Sequence, residues 1–178
     1  LLAAIAGRHS AKPLRTPCRT SAIPRPIPPK PWYRGAFVSV LVTGFLPFCA
    51  IFVELIYVFG SAWGNRVYTM YAVLMVVLGL LFVLCASLAV TAVFFRLAVE
   101  DWRWWWFSMF AAGSVALFIF GYGYIYYMKS EMSGALQAAF FFGYLAITCY
   151  GFWLMLAAVG FLASLGFVRM IYSNIHID

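Results

Sequence analysis

The sequence predicts an all-α membrane protein: an antiparallel bundle of four transmembrane helices preceded by a Pro-rich basic cytosolic linker. Three observations lead there. Hydrophobic residues make up 66% of the 178 residues and charged ones 10%, against roughly 45–50% and about 25% in soluble domains. A soluble domain of that composition would expose large apolar patches, a difficulty that lipid removes by acting as the solvent. Four apolar stretches, at about 36–59, 70–95, 104–128 and 135–168, each reach the ~20 residues needed to cross a ~30 Å hydrocarbon core as a helix. Between the second and third stands Glu100-Asp101-Trp102-Arg103-Trp104-Trp105-Trp106, a charged knot running into tryptophans. Charges are costly in hydrocarbon and Trp favours the headgroup layer, so the knot anchors a turn where the chain surfaces and goes back in.

Each element follows in order. Residues 1–6 are apolar, with no Met and no charged segment before them, and read as the end of a spanning helix that begins upstream. The chain is accordingly expected to be a C-terminal fragment. Residues 7–35 form the linker, in which Pro13, Pro17, Pro24, Pro26, Pro28, Pro29 and Pro31 forbid a continuous helix and favour an extended polyproline-type chain. The four stretches are read as helices because backbone groups in lipid must be satisfied within the segment, and no alternating ten-residue pattern suggests a barrel. Their connections are short, which makes successive spans antiparallel neighbours. The last stretch is long enough to tilt or to extend beyond the membrane, and residues 169–178 form a cytosolic tail.

Orientation follows from the basic residues. Seven of the twelve Lys and Arg lie between Arg8 and Arg34. With four crossings, the linker, the turn holding Arg96 and Arg103, and the tail with Arg169 share one side. Only Arg66 and Lys129 lie on the other. The positive-inside rule puts the linker, the tryptophan knot and the C-terminus in the cytosol. Because the net charge of +7 is concentrated in the linker rather than spread over a face, nucleic acid is not expected as a partner. The lipid bilayer is.

Glu54 is the acidic residue inside an apolar stretch, with Pro47 two turns before it on about the same face. Intramembrane carboxylates are candidate ion or proton sites, and a proline loosens a backbone carbonyl. Two roles fit: a cation- or proton-coupled transport site, or an interfacial residue reaching water or Arg66 near the helix end. Glu100 and Asp101 are adjacent, but neighbours on a helix point about 100° apart. A salt-bridged turn with Arg96 and Arg103 as partners explains them better than an acid/base dyad. Ala135, Ala139 and Gly143 repeat every four residues along the last stretch, and such a stripe admits a close helix. Ordinary packing within the bundle is favoured over a cargo helix. Gly121 and Gly123, among Tyr122, Tyr124, Tyr126 and Tyr127, read as a packing notch with an aromatic belt.

No catalytic constellation is present. His9 lies in the linker and His176 in the tail, so no paired-His metal site forms, and the chain lacks a Walker loop, GxSxG and HExxH. Neither a cofactor nor a metal is expected. Cys49, Cys85 and Cys149 sit in apolar stretches and Cys18 lies alone in the linker, which implies no disulfide framework. In the tail, Tyr172-Ser173-Asn174-Ile175 fits Yxxφ, a motif that sorting adaptors read in an extended conformation.

Taken together, several segments resemble the transmembrane-nine superfamily, the nonaspanins or endomembrane protein 70 family, most of all its plant and algal members. They begin with Pro17-Cys18-Arg19-Thr20 and Ile27-Pro28-Pro29-Lys30-Pro31-Trp32-Tyr33-Arg34. Gly44-Phe45-Leu46-Pro47-Phe48 with Val53-Glu54-Leu55 follows, then Ala98-Val99 leading into the tryptophan knot. Phe141-Phe142-Gly143-Tyr144, Gly160-Phe161 and the run from Phe167 to Tyr172 complete the set. The resemblance implies a large luminal domain followed by nine helices, of which this chain holds the last four, with residues 1–6 ending the fifth. It implies residence in Golgi and endosomal membranes and a non-enzymatic role in sorting membrane cargo proteins with glycine-rich spans. Family members usually end in Lys-x-Asp or Lys-x-Glu, which binds coats of the COPI/COPII type. Here the terminus reads His176-Ile177-Asp178. A histidine that is neutral at pH 7 supplies little of the lysine's charge, so coat binding through His176 and Asp178 is expected to be weakened.

Overall fold

The computed structural model of the chain describes residues 5, 7–9, 23, 26–27, 35–62, 71–130 and 134–174. The linker prolines other than Pro26, Cys18, Arg66, and Ile175, His176 and Asp178 of the tail lie outside the described residues. Residues 5 and 7–9 are helical.

Five helices follow: α1 (Ala36–Ala62), α2 (Tyr71–Leu97), α3 (Trp104–Gly113), α4 (Val115–Lys129) and α5 (Ala135–Asn174). Among the described residues there is no strand. Four helical spans are long and apolar enough to cross a membrane, with α3 and α4 together making the third. That third span is half buried within the molecule, whereas the others are between 17% and 28% buried. It is therefore the centre of the bundle. Helices α1 and α2 pack on each other, α3 touches α1, α2 and α5, and α4 touches α1 and α5. Since α1 and α5 do not meet, they lie on opposite sides of the central span.

The third stretch differs from the single helix expected over 104–128. It divides at Ser114, where the bond from Leu117 N–H to the Ser114 carbonyl, 3.0 Å long, has the tighter i+3 pattern. The Ser114 hydroxyl lies 2.8 Å from the Ala111 carbonyl and 3.0 Å from the Val40 carbonyl of α1, so its single proton is shared between its own helix and a neighbour. A serine that bonds back to the preceding turn bends a helix, which is the local reason for the break.

Two apolar clusters fill the interior. One joins Ile51 and Phe59 of α1, Leu81 and Cys85 of α2, Val115 and Ile119 of α4, and Phe141, Leu145, Cys149 and Leu156 of α5. Aromatic pairs extend it: Phe45 and Phe48 each meet Phe118 at 5.6 Å between ring centroids, Phe59 meets Tyr122 and Tyr126 at 5.4 Å, and Tyr127 meets Phe142 at 5.0 Å. The tyrosines expected to form a boundary belt thus also pack α4 against both of its neighbours. The second cluster, Val93, Trp104, Phe107, Ala111 and Val168, sits at the tryptophan end. Past Val168, the last buried residue among those described, α5 continues for six residues, about 9 Å.

Candidate functional site

Three features position side chains for a role: the tryptophan turn, the helix crossings and the outer face of α5. At the turn, α2 ends with Val99 N–H and Asp101 N–H both donating to the Arg96 carbonyl, and Glu100 N–H donating to that of Leu97. Closing the turn puts Glu100 at φ 58°, the left-handed region that side chains with a Cβ avoid. Asp101 is buried beneath it. Its Oδ2 accepts from Arg96 Nη1 at 2.5 Å and its Oδ1 accepts from the Arg103 backbone N–H at 3.2 Å. The Arg96 guanidinium stacks over Phe107, 4.1 Å from the ring centre. Arg103 lies over Trp102 at 5.1 Å. Of the two carboxylates weighed as a pair, Asp101 faces inward and Glu100 is exposed, and they do not converge.

The tryptophans divide as well. Trp102, Trp105 and Trp106 are exposed, as interface anchors would be, while Trp104 turns inward and stacks nearly parallel on Phe161, 6.2 Å away at 11°. This contact ties the start of α3 to α5.

Small residues make the inner crossings. A Cβ placed on Gly160 would come within 2.4 Å of the Ala112 Cβ, 3.2 Å of the Ser108 carbonyl and 3.4 Å of the Ala89 Cβ, so α2, α3 and α5 meet at this one point. Gly44 admits Ser114, whose Oγ would lie 1.9 Å from an added Cβ. Gly113 admits Trp153, and Gly123 admits Leu145. Gly123 is thus the notch expected among the tyrosines, whereas Gly121 faces open space. Neither Gly113 nor Gly160 was expected from sequence to be a crossing point. Small-x-x-x-small spacing marks Gly160, with Ser164, and the Ser108 and Ala112 that face it; no such spacing marks Gly113, whose neighbours four residues away are Met109 and Leu117.

Ala135, Ala139 and Gly143, expected as a packing stripe, do not pack against the other described helices. All three are exposed on the outer face of α5, and a Cβ on Gly143, Gly151 or Gly166 would meet nothing within 4 Å. The inward face of that helical half is taken instead by Phe141, Leu145 and Cys149, whose bulk fills the space beside α4.

Pro47 is fully buried within α1, and Glu54 lies half-buried further along the same helix. No described residue pairs with Glu54. Among the described residues no three His, Cys, Asp or Glu gather as metal ligands. At the far end, Tyr172, Ser173 and Asn174 form the last turn of α5, not an extended segment, and the Ser173 hydroxyl donates to the Met170 carbonyl at 3.0 Å. Neither Gly nor Pro occurs between Phe167 and Asn174 to stop the helix.

Four apolar spans, sparse internal charge and a tryptophan-anchored turn define a polytopic α-helical membrane protein. A family model for Endomembrane protein 70 matches residues 1–135. The chain is 49% identical over 176 residues to "Transmembrane 9 superfamily member 4" of Arabidopsis thaliana and 51% identical over 176 residues to that plant's "Transmembrane 9 superfamily member 2". It is 45% identical over 179 residues to "Transmembrane 9 superfamily member 1" of Mus musculus. These alignments cover 98–100% of the chain and 30% of each relative, so the chain spans about a third of the length of the curated relatives it matches. No solved structure matches it. The chain belongs to the Endomembrane protein 70 family, whose members carry the Transmembrane 9 superfamily name.

Proposed function

We propose that these four spans belong to a non-enzymatic protein of Golgi and endosomal membranes that sorts and localises membrane cargo proteins, recognising cargo helices laterally through the outer face of α5. The observation that carries this reading is the open stripe of Ala135, Ala139 and Gly143, continued by Gly151. Helices associate in lipid by close packing at small residues, because no hydrophobic force separates them from the surrounding chains. A wide unfilled small-residue face therefore suits a partner helix, and one with glycines of its own approaches closest. In the proposed orientation the tryptophan turn and the end of α5 lie in the cytosol, where coats engage His176 and Asp178; an adaptor that reads Tyr172 and Ile175 as extended chain would first have to unwind the last turn of α5.

The test is site-specific photo-cross-linking from positions 143 and 151 in the full-length protein within its own membranes. Capture of spans from other membrane proteins is the expected result. Capture restricted to other helices of the same chain would overturn it. Coat binding is checked separately by comparing the tail with its His176→Lys form, which is expected to bind more tightly; equal binding would remove the role given to His176. Cargo delivery is expected to survive Glu54→Gln, a change that a transport cycle coupled through that carboxylate would not tolerate.

A further inference from the structure

A groove of about 650 Å³ runs between α1 and α2 at the tryptophan end, a volume within the ~300–1,000 Å³ of ligand sites. Its walls are Val38, Val42 and Leu46 from α1 and Leu88, Ala92 and Phe95 from α2. The two helices are antiparallel, so residues 38–46 run beside 88–96 and the groove reaches about 12 Å along the bundle. The 38/96 end lies at the level of the tryptophan turn, and the 46/88 end lies in the apolar middle. Val42 and Phe95 are 55% and 64% exposed. The groove is therefore open sideways, uncovered by any other described helix.

Its polar end holds a group with unspent hydrogen-bonding capacity. Arg96 lines the groove, and its side chain is 12% exposed. Nη1 donates to Asp101, but Nη2 is buried with no hydrogen-bond partner. A buried guanidinium donor without an acceptor is costly, and its fork geometry suits a phosphate oxygen. Thr91, also on the lining, spends its hydroxyl proton on the Ser87 carbonyl at 2.9 Å and so offers no competing donor. Apolar depth with one cationic donor at headgroup level matches an amphiphile that carries a phosphate. Basic pockets between spans near the membrane surface take phospholipid headgroups in this way.

We propose that this groove is a binding site for one glycerophospholipid, with an acyl chain lying along Val42, Leu46 and Leu88 and its phosphodiester received by Arg96. Within the turn the charges balance, Arg96 and Arg103 standing against Glu100 and Asp101, so the recognition element assigned to this site is the phosphate. The proposal is independent of the sorting reading, since lipid retention is measured on the protein alone whether or not cargo is delivered.

The experiment is native mass spectrometry of the full-length protein, extracted into detergent from phosphatidylcholine vesicles, with a diacylglycerol of the same chains as the phosphate-free comparison. The expected result is one retained phospholipid and no retained diacylglycerol. Arg96→Gln is expected to lower retention about fivefold, the weight of one cation at the membrane surface. Because Arg96 also supports the turn through Asp101, a second variant keeps the proposal testable. Thr91→Trp starts from an exposed position on the lining and fills the groove without entering the core, and it is expected to abolish retention while the protein stays folded. Equal retention of both lipids, or a lipid that persists in Thr91→Trp, would overturn the proposal. So would photo-cross-links from a probe at position 42 to another helix of the longer protein, which would show that protein and not lipid fills the groove.

Discussion

Gly160 and Gly143 lie on one helix and face different worlds. At Gly160 the backbone of α3 and the methyl groups of α2 and α3 are so close that an added Cβ would collide with them; at Gly143 it would meet nothing. The same residue type serves an inner crossing that is already occupied and an outer face that is not. The inner site uses the missing side chain to bring three helices together. The outer site leaves a shallow track along the outer side of the described bundle, bordered by Phe140, Tyr144 and Ile147, all exposed. A small residue in a spanning helix thus records close approach only after its neighbour is known.

The contrast can be broken most forcefully at Gly160. Gly160→Leu puts four carbons where rigid atoms already stand, and a loss of about 3 kcal/mol is expected, at the upper end for overpacking. The fall in unfolding midpoint of the purified full-length protein measures it, and an unchanged midpoint would show that the three-helix crossing does not hold the bundle. Gly44→Ala comes next. Its neighbour is Ser114, whose backbone carbon would also lie 3.0 Å from the new Cβ, so the helices must separate, at a cost of about 1–2 kcal/mol. Glu100→Gly touches neither face and calibrates the assay: relief of the left-handed conformation is expected to stabilise by about 1 kcal/mol. Gly143→Leu should change stability by less than about 0.5 kcal/mol, as surface substitutions do, while reducing cargo cross-linking from that face. A large loss of stability at Gly143 would mean that the outer face is a folding interface.

Much of the architecture was legible in advance. The starts of α1, α3 and α5 fall where the apolar stretches begin, and the ends of α1 and α2 lie within a few residues of expectation. Length and hydropathy suffice for this because lipid imposes a minimum helix length and forbids exposed backbone. The break at Ser114 was not legible, since it depends on the Val40 carbonyl of a helix far away in sequence. Arg96 and Asp101 were recognisable as partners from their spacing, yet the burial of Asp101 and the outward turn of Glu100 come from closing the loop under Phe107. The continuation of α5 to Asn174 could have been read from the lack of a stop signal after Gly166; the adaptor-type motif suggested extended chain where local propensity favours helix.

Composition, the four apolar stretches and the tryptophan turn were sufficient on their own to make this an α-helical membrane protein with antiparallel spans, because the bilayer is a solvent with few solutions. Family membership is equally a property of the sequence. Which glycines are buried, which tryptophan turns inward and where a groove opens between α1 and α2 were decided by tertiary structure alone. The reason is that every face of a spanning helix is apolar, so the pattern that separates inside from outside in a soluble helix is missing. Shape remains, and shape is settled only when the helices meet.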